Sequence, residues 1–203
     1  MMKLYGHARS GNAYKVKLLL ALMKLDYEWV DVDILNGEHK RPEFLVLNPF
    51  GQIPVLIDGE SVVADAQAAL VYLARQYGDS SDGLAWLPLE AGAIAEVVRW
   101  LSVATGEVRQ GPESARLYHL FKVSAINIER ATQKAQFILT QLDRHLALRD
   151  WLAGSNVTIA DIAVFPYVAL APDGKIDLSP YPQVLGWIER IKQLPNFIGM
   201  AGI

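Results

Sequence analysis

The sequence of 203 residues contains no cysteine. This absence excludes disulfides, thiolate zinc sites and a protein thiol as a nucleophile. Long apolar runs are also missing: no stretch of about 18 apolar residues occurs, so no membrane-spanning helix is predicted. The opening stretch MMKLYGHARSGN lacks the apolar core of a signal peptide. A cytoplasmic location is the expectation that follows from these absences.

An excess of positive charge is missing as well. The 19 Lys and Arg residues stand against 22 Asp and Glu residues, which gives a net charge of -3. Nucleic-acid-binding proteins usually present a basic face, so no nucleic-acid partner is expected. His7, His119 and His145 lack metal-ligand spacing such as HExxH, so no metal site is predicted. No Gly-x-Ser-x-Gly stretch supports a serine hydrolase.

The first third of the chain alternates between strand and helix patterns. Strand-like runs at Met2–Tyr5 and Tyr27–Val32 flank a Leu- and Ala-rich segment, which predicts a largely buried helix. Strands joined through a helix form a right-handed unit and run parallel. A short helix with Pro42 in its first turn comes next, then a hairpin around Asp58–Gly59 and an amphipathic helix. The order βαβαββα predicts an α/β thioredoxin-like domain.

The rest of the chain has helical patterns. The expected helices are Leu89 to about Val108, ended by Gly111–Pro112, then Glu113 to about Leu148, Thr158–Ala169 and Tyr181–Leu194. The predicted organisation is an α/β domain over residues 1–78, a polar linker over residues 79–88, and an all-α domain over residues 89–203.

The stretch GSNVTIADI predicts a well-capped helix start. Thr158 stands at the N-cap position and Asp161 three residues later, so each side chain can bond to the backbone N–H of the other. Val157 and Ile162 have the spacing of a hydrophobic staple. This pattern indicates how a helix begins and does not indicate a site.

Four stretches together resemble a known family: SGNAYKV, GEHKRPEFLVLNPFGQIPVL, ADAQAALVYLARQYG and WLAGSNVTIADIAVFP. On these stretches the chain resembles the glutathione S-transferase family over nearly its whole length. The serine after the first strand is similar to the serine-type theta-like and related bacterial branches, and Ser-x-Asn also resembles the nu class. The resemblance implies that glutathione, as a co-substrate and with no other cofactor, is conjugated to a small hydrophobic electrophile.

The resemblance implies that Ser10 stabilises the glutathione thiolate, with Asn12 as the alternative donor. A free thiol has a pKa of about 8.5, so little of it is ionised at neutral pH. A hydroxyl or amide donor at a helix N-terminus would stabilise the anion through a hydrogen bond and the helix dipole. Without the resemblance, Ser10 would be interpreted as an ordinary N-cap. Tyr5 lies within the strand and is expected to be part of the core or of a wall.

The resemblance also implies which loop residues hold glutathione. Ile53, before a cis Pro54, would offer its backbone N–H and C=O to the cysteinyl backbone of glutathione, like an added strand. Gln52 would lie beside it. His39 and Lys40 would reach the glycyl carboxylate, and a plain solvated loop is the alternative for these two residues.

Asp65 and Ala66 form the corner before the last helix of the α/β domain. In the family, an acid here binds the γ-glutamyl ammonium, and the next residue, Ser or Thr, holds the γ-glutamyl carboxylate. Asp65 fits the first role, although a simple helix cap is the alternative. Ala66 departs from the pattern because it keeps the backbone N–H at a helix N-terminus but lacks the hydroxyl.

Further expectations concern the electrophile and assembly. Arg9, Val103, Glu107 and Arg109 are candidates for the border of the electrophile pocket. A homodimer is expected, with Phe50 either inserted into the partner subunit or buried as an anchor of its own loop. Two other functions stay open: a glutathione-dependent peroxidase, and a non-catalytic transferase-like binding or interaction module.

Overall fold

The computed structural model describes residues 1–78 and 85–203. The chain forms two units, Met1–Gly83 with Pro195–Ala201, and Leu84–Leu194 with Gly202–Ile203. The predicted linker lies mostly outside the described residues. Among the described residues, no helix combines the length and the apolar character needed to cross a membrane.

The first unit contains a four-stranded mixed sheet. Its strands are β1 (Met2–Gly6), β2 (Tyr27–Asp31), β3 (Val55–Asp58) and β4 (Ser61–Val63), in the spatial order β2-β1-β3-β4. Strand β2 runs parallel to β1, whereas β3 is antiparallel to both β1 and β4. The helices are α1 (Gly11–Leu22), α2 (Pro42–Leu45) and α3 (Ala66–Tyr77). The predicted βαβαββα order is confirmed.

Alternate residues of the sheet lie in different surroundings, as strand geometry requires. Leu4 and Leu56 are fully buried. Tyr5 is half-buried and packs with its ring edge-on to Phe44, in a cluster that includes Val55. Tyr5 therefore packs against this hydrophobic cluster, in line with the expectation that it belongs to the core or to a wall. Helix α1 is buried over most of its residues, which confirms the prediction from its apolar composition.

The carboxy-terminal segment Pro195–Ala201 groups with the first unit, although the sequence analysis included it in the helical domain. The hydroxyl of Tyr14 in α1 donates to the Ile198 carbonyl over 2.7 Å. This bond joins residues that are 184 positions apart, so no local pattern could have indicated it.

The second unit is helical, as predicted. Its helices are α4 (Ala91–Val103), α5 (Ser114–Phe121), α6 (Ile128–Leu146), α7 (Ile159–Ala169) and α8 (Pro182–Lys192). In α6, the apolar residues at spacings of three and four form one predicted face, of which Ile128 is half-buried and the others are buried, namely Ala131, Ala135, Ile138 and Leu142. The helical periodicity therefore located the core-facing side of this helix.

The prediction that Gly111–Pro112 ends a helix is wrong. Between α4 and α5 the chain continues to turn through a π-helical segment, Ala104–Glu113. A proline ring inside an α-helix clashes with the carbonyl four residues earlier, and a wider π-helical turn moves that carbonyl away. The Ser114 hydroxyl donates to the Arg109 carbonyl, five residues back, over 2.8 Å.

The predicted single helix from Glu113 to about Leu148 is also wrong. Helix α5 is followed by Lys122 in a left-handed conformation, with φ of 59°, and α6 begins at Ile128. The side chain of Asn127 caps α6 by accepting from the backbone N–H of Arg130 over 2.9 Å. A left-handed residue and a new cap stop one helix and start another, although the chain here carries no glycine or proline.

The capping box at the start of α7 is confirmed. The Thr158 hydroxyl oxygen caps the helix, and an Asp161 carboxylate oxygen accepts from the Thr158 N–H over 3.0 Å. Val157 and Ile162, the predicted staple residues, are both buried.

Candidate functional site

Three loops of the first unit adjoin its sheet at the same end of the strands. Tyr5 near the end of β1 pairs with Val55 at the start of β3, because these strands are antiparallel. Val63 at the end of β4 pairs with Leu56 for the same reason. The segment after β1, the segment before β3 and the segment after β4 therefore leave the sheet together. These segments carry Ser10, Ile53–Pro54 and Asp65, which are separated by up to 55 positions in the sequence.

Ser10 is the N-cap of α1. It has extended backbone angles, and its hydroxyl oxygen accepts from the Ala13 N–H over 3.2 Å. A hydroxyl that accepts a bond still has a proton to donate. Capping therefore leaves Ser10 able to donate to an anion at the helix N-terminus. Asn12 is half-buried in the first turn of the same helix.

The loop before β3 contains the Ile53–Pro54 bond, which is cis, as the resemblance implies. Ile53 is half-buried and packs against the cluster of Val32, Phe44 and Val55. Gln52 is exposed beside it. The backbone of Ile53 thus lies in the loop just before the inner strand β3, and an extended ligand backbone could pair with this segment.

Asn48 organises this loop and was not singled out from the sequence. It is 1% exposed, and its amide donates to the Gln52 carbonyl over 2.7 Å and accepts from the Phe50 N–H over 3.0 Å. An asparagine followed by proline is a common turn signal. That signal could have indicated the turn but not the burial of the side chain.

Lys40 bonds to the same loop. Its ammonium donates to the Phe50 carbonyl over 3.1 Å and to the Gly51 carbonyl over 2.7 Å. The residue lies in a single turn of 3-10 helix, Glu38–Lys40. Lys40 is exposed, and its ammonium is nevertheless bonded to the backbone of this loop.

His39 has a different environment from Lys40. Its Nδ1 atom is buried and has no hydrogen-bond partner among the described residues. Burial lowers the pKa of the His39 imidazole, and the charge of Lys40 lowers that pKa further. His39 is therefore mainly neutral at neutral pH and can donate a hydrogen bond without adding positive charge.

Asp65 and Ala66 lie at the N-terminus of α3. Asp65 is the N-cap, and its carboxylate accepts from the Ala68 N–H over 2.9 Å. Asp65 is exposed, whereas Ala66 is 3% exposed. The first N–H groups of a helix have no intrahelical acceptor, so this helix end can bind an anion. The cap bond occupies one oxygen of Asp65 and does not prevent the carboxylate from meeting a cation.

The candidates for the electrophile pocket belong to different units. Arg9 is half-buried in the first unit, and its backbone N–H donates to Nδ1 of His7 over 3.2 Å. Val103 ends α4, and Glu107 and Arg109 belong to the π-helical segment of the second unit. Val103 and Glu107 are half-buried and Arg109 is exposed.

Comparison with known proteins identifies the family. The model of the glutathione S-transferase N-terminal domain matches residues 1–75, and that of the C-terminal domain matches residues 112–195. The chain is 35% identical to Glutathione S-transferase 3 of Zea mays, over 97% of this chain and 91% of that protein. The chain belongs to the glutathione S-transferase family. Its serine-type class and the roles of its site residues stay predictions.

This glutathione S-transferase family member is also similar to a bacterial oxidoreductase and to a bacterial transferase of known structure. It is 33% identical to Disulfide-bond oxidoreductase YfcG of Escherichia coli (strain K12), over 96% of this chain and 92% of that protein. The crystal structure of a glutathione S-transferase from Pseudomonas fluorescens is 32% identical and has a TM-score of 0.89, covering 98% of both chains.

Proposed function

We propose that this glutathione S-transferase family member conjugates the thiolate of glutathione to a small hydrophobic electrophile. The observation that carries the proposal is that the segments with Ser10, Ile53 and Asp65 leave the sheet at the same end of its strands. These segments match glutathione in chemical type. The hydroxyl at a helix N-terminus suits its thiol, the loop backbone suits its peptide backbone, and the carboxylate suits its ammonium group.

The thiolate would be formed and held by the start of α1. The glutathione thiol loses its proton to solvent, and the Ser10 hydroxyl donates to the sulfur anion while its oxygen still caps the helix. The helix dipole adds to the stabilisation of the anion. The sulfur then forms a bond to the electrophilic carbon, and the leaving group departs with the electron pair of its bond. Asn12 is the alternative donor in the same turn.

The remainder of glutathione would be held by the other two segments. Ile53 would pair with the cysteinyl backbone beside Gln52, after the cis bond to Pro54. Asp65 would bind the γ-glutamyl ammonium, and the N–H of Ala66 at the α3 N-terminus would bind the γ-glutamyl carboxylate. The turn that carries His39 and Lys40 would face the glycyl carboxylate.

Reduction of disulfides is a second candidate activity, favoured by the similarity to Disulfide-bond oxidoreductase YfcG. Because the chain has no cysteine, both electrons would have to come from glutathione. The bound thiolate would attack one sulfur of the disulfide and break its S–S bond, so that one half leaves as a thiolate and the other half stays bonded to glutathione as a mixed disulfide. A second glutathione thiolate would then form glutathione disulfide and release the other thiol.

Calorimetry followed by turnover assays tests these activities. We expect the binding of glutathione to release heat. We also expect the protein to conjugate glutathione to an activated chloroarene. A small disulfide and an organic hydroperoxide, assayed in parallel, distinguish the reductase and the peroxidase. The absence of binding heat would overturn the proposal and favour a non-catalytic module.

We also propose a homodimer. Phe50 is 80% exposed, which supports its insertion into a partner subunit and not its burial as an anchor of its own loop. The electrophile-pocket residues Arg9, Val103, Glu107 and Arg109 stay predictions, as does the cytoplasmic location.

A further inference from the structure

Three consecutive backbone carbonyls before Ile53 are held by two side chains. Lys40 donates to the carbonyls of Phe50 and Gly51, and Asn48 donates to that of Gln52. In the same loop, the Gly51 N–H donates to the Asn48 carbonyl over 2.8 Å. The backbone of Phe50, of Gly51 and of Gln52 is therefore held by at least one hydrogen bond at each residue.

Gly51 shows how closely Lys40 is fitted to this loop. Gly51 has a φ of +57°, and a Cβ atom on it would lie 2.7 Å from the His39 carbonyl oxygen and 3.0 Å from the Lys40 ammonium nitrogen. A side chain at this position would clash and would need a left-handed backbone that favours glycine. The Lys40 side chain thus packs closely against the loop at Gly51.

The resemblance to the family makes Lys40 a direct ligand of the glycyl carboxylate, but its contacts support another role. An ammonium group has three N–H donors. Two of them are used at 3.1 and 2.7 Å on the loop carbonyls. The third N–H stays available, so the bonds to the loop support a positioning role and leave direct contact with the glycyl carboxylate as the alternative.

We propose that Lys40 and Asn48 are positioning residues, which hold Gln52–Ile53 in the geometry that pairs with the glutathione backbone. Lys40 then contributes to glutathione affinity through the geometry of the loop, and this contribution is the same for any ligand whose backbone pairs with Gln52–Ile53. The proposal rests on the proposed function, because it concerns the same glutathione site. Its physical basis is preorganisation: a loop that is already ordered does not lose conformational entropy when the ligand binds.

A ligand without the glycine separates the two roles of Lys40. The dissociation constants of glutathione and of γ-glutamylcysteine, which lacks the glycyl residue, are measured by calorimetry for the native chain and for Lys40→Met. A positioning role predicts that both ligands bind about tenfold more weakly to the variant, by the same factor. The neighbouring exposed cation provides the control: Arg41→Met removes the same charge and is expected to change neither affinity.

Two more variants complete the test. Lys40→Arg keeps donors for the two carbonyls and should restore most of the affinity for both ligands. Asn48→Ser removes the amide that donates to the Gln52 carbonyl and should also weaken the binding of both ligands by an equal factor. Circular dichroism confirms that each variant is folded. The Lys40→Met variant should raise KM for glutathione, whereas kcat at saturating glutathione stays within about twofold, because the thiolate donor is untouched.

Each other outcome overturns the assignment. If Lys40→Met weakens glutathione but leaves γ-glutamylcysteine unchanged, Lys40 contacts the glycyl carboxylate directly. If Arg41→Met weakens binding as much as Lys40→Met, only the local charge matters. If the native chain binds neither ligand, the proposed function itself fails and this assignment fails with it.

Discussion

Trp187 of α8 donates its indole N–H to an Asp161 carboxylate oxygen over 2.9 Å. The same oxygen accepts from the Leu152 N–H over 3.0 Å, and the second oxygen accepts from Thr158. One fully buried carboxylate therefore joins α7, the loop before it and α8. Burial raises the pKa of Asp161 to about 6, although its hydrogen-bond donors favour the ionised form.

The pKa of Asp161 predicts how stability depends on pH. Its folded pKa lies above the ordinary value of 3.8, so the folded chain binds this proton more tightly than the unfolded chain. The stabilisation from this group is complete below about pH 4 and is lost as the pH rises through about 6. Urea unfolding of the native chain and of the Asp161→Asn variant, at one protein concentration, measures this loss of stabilisation. As the pH rises from about 4 to about 6, the free energy of unfolding of the native chain should decrease relative to that of the variant. A difference that increases with pH would mean that the hydrogen bonds outweigh burial.

Gly111 is expected to tolerate no side chain. A Cβ there would lie 2.7 Å from the Ala135 nitrogen and 2.8 Å from the Ala135 Cα, both of them backbone atoms of α6. Gly111→Ala should therefore lower the free energy of unfolding by about 1–3 kcal/mol. Gly106→Ala is the matched control, because Gly106 lies in the same π-helical segment with nothing within 4 Å of its Cβ position. Equal losses in the two variants would contradict the packing argument.

Ser10 is predicted to lower the pKa of bound glutathione. In Ser10→Ala, the thiol pKa, followed by the ultraviolet absorbance of the thiolate, should rise from about 6.5 toward about 8.5. The kcat should fall, with little change in glutathione binding. The variant also loses a helix cap worth about 1 kcal/mol, so thermal unfolding is recorded beside it. If Asn12→Ala raises the thiol pKa and Ser10→Ala does not, the serine assignment is wrong.

Ala66→Ser is predicted to bind glutathione more tightly. The added hydroxyl would supply one charge-assisted hydrogen bond to the γ-glutamyl carboxylate, at a helix start that tolerates serine. We expect up to about a tenfold gain in affinity, or roughly 1.4 kcal/mol, with kcat unchanged at saturation. Ala68→Ser adds the same group to an exposed position of the same helical turn and serves as the control. Equal or weaker binding in Ala66→Ser would show that another group already satisfies this carboxylate.

Sedimentation velocity at micromolar concentration tests the proposed dimer. The native chain should sediment as a dimer, and Phe50→Ser should shift the equilibrium toward the monomer because a buried aromatic contact is lost. Val46→Ser removes another exposed apolar side chain of the first unit, since Val46 is 84% exposed. This control should leave the dimer unchanged. A monomeric native chain would refute both the dimer and the role of Phe50.

Local patterns in the sequence determined the order of most elements. Alternating and helical periodicities located the strands and the buried face of α6, because each depends only on neighbouring residues. The capping box at Thr158 and Asp161 was predictable because both partners lie within one helical turn. The absence of cysteine excluded a protein thiol without any structural information. The candidate site was located through the family resemblance, since Ser10 and Asp65 alone have the pattern of ordinary helix caps.

Tertiary structure decided the features that depend on distant residues. Gly111–Pro112 carries a strong signal for the end of a helix, yet packing against Ala135 and a π-helical turn keep the helix continuous. The sequence showed Lys40 as a surface cation, and only the fold brings its ammonium to the carbonyls ten and eleven positions away. The burial of Asn48 and the packing of Pro195–Ala201 with the first unit have the same origin. Hydrogen-bond partners and close packing are set by positions in space, and a pattern of neighbouring residues does not contain them.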